Sequence, residues 1–144
     1  MKKLFLTTIL TLFAFTYTAI ADTPYQGNVP YSATSGVQSN TAQSIVIPIL
    51  PGKAFYLTSV SVYGAGATIA LEATCSITNT AATVVANVLV NIPAGVTAAA
   101  SSITEKWVGA PLYSGGLGTA FTVACPAFGL GNTAQVINVS GYYY

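Results

Sequence analysis

The sequence predicts an all-β protein: one antiparallel β-sandwich, of jelly-roll or Greek-key type, with about seven to eight strands, placed after a cleaved leader. Three observations predict it. From Ser44 onward, short runs rich in Val, Ile, Thr and Tyr are separated by Gly, Pro and Asn, the texture of strands and turns. Several of these runs carry apolar residues at every second position, the period of a half-buried strand. After Ala21 no helical apolar period occurs, so few or no helices are expected.

The elements follow in order. Residues 1–21 have the layout of a secretory signal, with Lys2 and Lys3 at the start, an uncharged apolar stretch over 4–20, and Ala19-Ile20-Ala21 as the small-x-small cleavage pattern. The stretch is marginal as a span, since crossing takes about 20 predominantly apolar residues. Cleavage then leaves no membrane anchor and a secreted, extracellular or cell-surface protein; the alternative is that the stretch is retained as an anchor. Residues 22–43 hold Pro, Gly and many Ser, Thr, Asn and Gln without an apolar period. They read as a flexible polar N-terminal arm, ordered only where it lies on something.

The domain, 44–144, contains seven strand candidates. The first is 44–50, an edge strand because Pro48 cannot donate to a ladder, followed by a turn at Pro51-Gly52. The second is 54–63, stopped by Gly64-Ala65-Gly66. The third, 67–78, alternates most clearly, with Ile69, Leu71, Ala73, Cys75 and Ile77 sharing the core face. The fourth, 83–92, sets Val84, Ala86, Val88, Val90 and Ile92 inward and Asn87 and Asn91 outward. The fifth, 102–108, carries Glu105 and Lys106 on opposite sides. The sixth, 119–125, turns Phe121, Val123 and Cys125 to one face before Pro126 halts it, and the last, 134–144, ends in three tyrosines.

Cys75 and Cys125 therefore both lie on apolar strand faces. In an exported chain with no third thiol, that placement predicts a disulfide between them inside the core.

Charge limits the chemistry. Charged residues make up 5% of the chain, against about 25% in ordinary soluble domains. After the leader they are Asp22, Lys53, Glu72, Glu105 and Lys106. Such sparse, balanced charge excludes nucleic acid, which needs basic stripes, and electrostatic docking on anionic lipid. There is no histidine, the usual general base and commonest metal ligand. Glu72 and Glu105 read as solvated surface carboxylates rather than a glycosidase pair. Gly64-Ala65-Gly66 and Gly115-Gly116-Leu117-Gly118 lack the helix and Lys of a phosphate loop. No cofactor, metal site or catalytic residue is predicted, and the chain reads as a non-enzyme. Asn138-Val139-Ser140 matches a glycosylation acceptor but falls inside a strand.

Contact is the remaining business. A neutral polar surface is cheap to desolvate, near-zero net charge promotes association, and Pro48 is the one visible guard on a strand edge. The predicted partners are further copies of the chain, as a homo-oligomer or polymer. Tyr25, Tyr31, Trp107, Tyr113, Tyr142, Tyr143 and Tyr144 are the candidate contact residues, because Tyr and Trp are enriched at interfaces. The alternative is a monomeric module that binds a glycan or a host or cell surface through Trp107 and the nearby tyrosines, with Asn87 or Asn132 as polar partners.

Two resemblances bear on this. The leader, the cysteine pair and the closing strand Val136-Ile137-Asn138-Val139-Ser140-Gly141-Tyr142-Tyr143 resemble exported bacterial pilins, although the arm lacks the alternating large apolar residues of a pilin donor segment. The stretches Phe55-Tyr56-Leu57-Thr58-Ser59-Val60 and Gly129-Leu130-Gly131-Asn132-Thr133-Ala134 resemble small jelly-roll proteins of phage structural modules. Both resemblances imply assembly or surface attachment: a subunit of a filament or surface layer, or a virion or tail-associated protein.

Overall fold

Among the described residues nine strands build the domain: β1 (Val29–Thr34), β2 (Gln43–Val46), β3 (Phe55–Ala65), β4 (Leu71–Asn79), β5 (Val84–Ile92), β6 (Ala100–Lys106), β7 (Leu112–Tyr113), β8 (Phe121–Cys125) and β9 (Ala134–Tyr143). The computed structural model describes residues 28–95 and 100–144. The predicted leader, and Tyr25, lie outside the described residues.

Sheet I runs β1-β9-β3-β6, with β7 continuing the β6 edge of β3, and sheet II runs β2-β8-β4-β5. Leaving out the two-residue β7, the strands pair from the outside of the chain inward: β1 with β9, β2 with β8, β3 with β6, and β4 with β5. This is one long antiparallel ribbon wound around a core. The β9–β3 and β8–β4 pairings close each sheet. Of the two predicted sandwich types, the winding is that of a jelly roll.

All seven predicted strands are present. β1 and β7 are additions, and β1 corrects the predicted arm over Val29–Thr34, while residues 22–27 of that arm lie outside the described residues. Val29–Thr34 pairs along its whole length with β9, and Gln43 opens β2. Val29, Tyr31 and Ala33 are half-buried while their neighbours are exposed, the alternation of an edge strand that needs only one apolar face. The crossing from β1 to β2 is tied down by buried amides. Gln43 Nε2 donates to the Gln135 carbonyl (3.0 Å), and Gln135 Nε2 donates to the Pro126 carbonyl (2.8 Å).

The third predicted strand is also shortened. Ala73, Cys75 and Ile77 are buried, but β4 starts only at Leu71, and both Leu71 and Ile69 are exposed. They lie past the edge of the core, at the end of the sandwich.

In β3 the apolar phase changes between Leu57 and Val60. A bulge at Thr58 absorbs the extra residue, so that Phe55, Leu57, Val60 and Val62 are all buried. The Thr58 carbonyl, freed by the bulge, accepts the Trp107 N–H (2.9 Å). Phe55, Phe121, Tyr143 and Tyr31 form edge-to-face contacts at one end of the core, with centroids 4.8–6.3 Å apart. Phe128 closes the other end, and Gly64 leaves the space its ring occupies.

Candidate functional site

The alternation of β9 sorts the predicted contact residues into two groups. Ile137, Val139 and Tyr143 point into the core, so Tyr142 and Asn138 face outward on sheet I. Tyr143 is 4% exposed, and its hydroxyl donates to the Pro48 carbonyl at 2.6 Å. Burial pushes the Tyr143 phenol above its ordinary value, and the neighbouring Tyr31 adds to the shift. Tyr31 is half-buried, edge-on to Phe55 and Tyr143. Trp107 packs its half-buried indole against the core. For Tyr143 the expected contact role is therefore corrected, since its ring is buried in the core, while Tyr31 and Trp107 are packed against the core and remain partly exposed.

The other three tyrosines are outward, and the register unites them. Tyr56 of β3 lies opposite Tyr142 of β9 on one side and Tyr113 of β7 on the other, and Pro30 of β1 lies opposite Tyr142. Tyr56 stacks on Tyr142 with centroids 5.2 Å apart and planes 7° apart. It meets Tyr113 at 5.1 Å, and Tyr144 abuts Tyr56 edge-on at 6.2 Å. Tyr56 is thus the centre of the row, a residue that reads in the sequence only as part of a strand. Beyond it the outer face continues through Ser32, Ser140, Ser59 and Lys106, then Thr34, Asn138, Ser61 and Thr104. No family model, curated protein sequence or solved structure matches this chain.

The geometry decides what the row can do. Side chains stand roughly upright on a sheet, and here neighbouring rings face each other. The ring of Tyr56 is flanked by Tyr142 and Tyr113 and closed to a ligand on those sides, while Tyr113 and Tyr144 remain exposed at the end of the row. Asn132, a predicted sugar partner, is buried; its Nδ2 donates to the carbonyls of Ala65 (2.8 Å) and Ala134 (2.9 Å), and its Oδ1 accepts the Asn40 N–H (3.0 Å). It fixes loops and is closed to a ligand. Asn87 is on the outward side of β5, in the opposite sheet.

Cys75 and Cys125 are bridged, as predicted, with Cα atoms 4.2 Å apart. They are directly opposed on the neighbouring strands β4 and β8 of sheet II, and both are buried. Glu72 and Glu105 are exposed and belong to different sheets. Among the described residues no cluster of three or more His, Cys, Asp or Glu could hold a metal ion.

Large apolar side chains are exposed at both ends of the sandwich. At the end away from the tyrosines, Ile69 and Leu130 are each 77% exposed and, with Leu71, line a shallow recess of about 310 Å³. At the tyrosine end, Val46 and Ile49 line a recess of about 360 Å³ together with Thr78 and Thr122.

Proposed function

We propose that this chain is a non-enzymatic, exported structural protein that associates with copies of itself through neutral sandwich surfaces, as a subunit of a filament, surface layer or similar assembly. One observation carries the reading: exposed apolar side chains are plentiful where charges that would keep copies apart are nearly lacking. Val108 is 89% and Leu117 72% exposed, alongside Ile69 and Leu130, while the charged side chains of the described residues are Lys53, Glu72, Glu105 and Lys106 alone. Ile69, Leu71 and Leu130 line one recess, a grouping of exposed apolar side chains of the kind that marks interaction surfaces, and near-zero net charge removes the repulsion that keeps domains monomeric.

Within the predicted arm, Val29–Thr34 and Gln43 pair with the domain's own sheets, so these residues are not free to lie along a neighbouring copy. Deleting 22–43 would remove β1 as well. The glycan alternative has less support, because Trp107 is half-buried against the core, Asn132 is buried and fully engaged, and Asn87 is on the opposite sheet from the tyrosines. The test is light scattering and electron microscopy of the chain from Asp22 to Tyr144. Regular particles growing with concentration are expected, and a sharp monomer at every concentration overturns the reading.

A further inference from the structure

A sandwich of two open sheets has four edge strands, here β1 and β6 with β7 in sheet I, and β2 and β5 in sheet II. An edge strand presents unpaired N–H and C=O groups that can template another chain, and proteins blunt such edges with proline, charge or brevity. Three of the four carry such a device. Ser35 N–H donates to the Ile137 carbonyl, so by antiparallel alternation the hydrogen-bonded pairs of β1 with β9 fall at Ala33, Tyr31 and Val29. Pro30 therefore turns its nitrogen to the open side. On β2, Ile47 N–H donates to the Phe121 carbonyl, which sets Pro48 to the open side in the same way, and the strand is four residues long. The β6 edge carries Glu105 and Lys106.

The fourth edge has none. β5 is nine residues, Val84–Ile92, without charge or proline. Its outward groups follow from the same alternation. The Ile47–Phe121 bond means that Val123 and Cys125 also direct their polar groups at β2, so Thr122 and Ala124 direct theirs at β4. Their β4 partners are Thr78 and Ser76. Cys75 and Ala73 are then turned to β5, where they pair with Val88 and Val90. Asn87, Leu89 and Asn91 are left with N–H and C=O aimed away from the sheet, and among the described residues no other strand pairs with that side of β5.

We infer that β5 is the edge through which two copies join, antiparallel across a two-fold axis at Leu89, making one eight-stranded sheet of two sheets II (four strands from each copy). This rests on the self-association proposed above and names its first contact. The occupant is a second copy because the edge is complementary to itself about Leu89: that register sets Leu89 against Leu89 and Asn87 against Asn91, apolar on apolar and amide on amide. All these side chains are exposed, and cross-strand pairs of like character stabilise a sheet. The contact is isologous and closes at two copies. A longer assembly then uses a second surface, for which the tyrosine row and the apolar ends are available.

Leu89→Lys sets two like charges opposite each other at the axis, which destabilises a pair of strands. It is expected to convert the smallest species in sedimentation from dimer to monomer, raising the half-dimerisation concentration at least about tenfold. Leu89→Pro removes only an outward N–H and should act in the same way, whereas Ser32→Lys on the guarded β1 edge should leave the dimer intact. On the unmodified protein, slow hydrogen exchange at Asn87, Leu89 and Asn91 is expected in the dimer and needs no variant to fold. A dimer kept by both Leu89 variants, or fast exchange at these three amides within the assembly, overturns the β5 contact and leaves self-association standing. A wild-type monomer at every concentration overturns both.

Discussion

Gly141 and Tyr143 show how single positions in the closing strand set the aromatic end of the core. A Cβ on Gly141 would collide with the Tyr56 carbonyl and lie 2.8 Å from Phe55 Cε1, so the glycine is needed for closeness and not for an unusual backbone angle. Gly141→Ala forces the Phe55 ring aside and is expected to cost about 1–3 kcal/mol, the usual range for overpacking, read as a lower urea midpoint at unchanged slope. Tyr143→Phe removes the hydroxyl that donates to the Pro48 carbonyl, expected to cost about 0.5–1.5 kcal/mol. The pH dependence gives a second readout. Burial raises the Tyr143 phenol above the ordinary tyrosine value of 10.0. The folded state therefore favours the neutral phenol, and its contribution is whole below pH 10 and is lost as pH climbs through the raised value. Wild type should lose stability above pH 10 more steeply than Tyr143→Phe, and parallel curves for the two would contradict it.

At the scale of elements, strands that alternate in sequence are found as strands. The shared apolar phase of Cys75 and Cys125 announces their bridge, whereas the Thr58 bulge, which shifts the apolar phase between Leu57 and Val60, shows only in the pairing of β3 with β9. The pairing stands in the middle of sheet II and closes a separation of 50 residues, worth about 4 kcal/mol in the chain-entropy picture. Replacing both cysteines by alanine should lower the unfolding free energy by that order, a large share of the roughly 5–15 kcal/mol of a typical domain. A urea midpoint unmoved by the double replacement would count against it. Two strands escape the sequence for physical reasons. In β1 a proline and small residues leave only Val29, Tyr31 and Ala33 to show a period, and β7 is two residues long. The tyrosine row is less legible still. Tyr56, Tyr113 and Tyr142 become neighbours only through the register of three strands far apart in sequence, and the openness of β5 follows from strand order, which no local pattern encodes.

For the whole molecule, the proposed self-association predicts how particle size answers to salt. Association driven by opposite charges weakens as ions screen it, because the Debye length falls from about 10 Å at 0.1 M to about 3 Å at 1 M. This chain has Lys53, Glu72, Glu105 and Lys106 as the charged groups of its described residues, while Ile69, Leu130, Val108 and Leu117 are exposed. Contacts between such surfaces bury apolar groups and pair backbone amides, and neither is screened. Sulfate, which strengthens effective apolar burial by exclusion from protein surfaces, should therefore promote assembly. Sodium chloride from 0.05 to about 0.5 M, a range that shortens the Debye length well below domain dimensions, should leave the particle size in light scattering unchanged. Particles that dissolve over that range would mean that the few charges, rather than the neutral surfaces, hold the copies together. The two rim charges on β6, Glu105 and Lys106, would then be the first residues to neutralise.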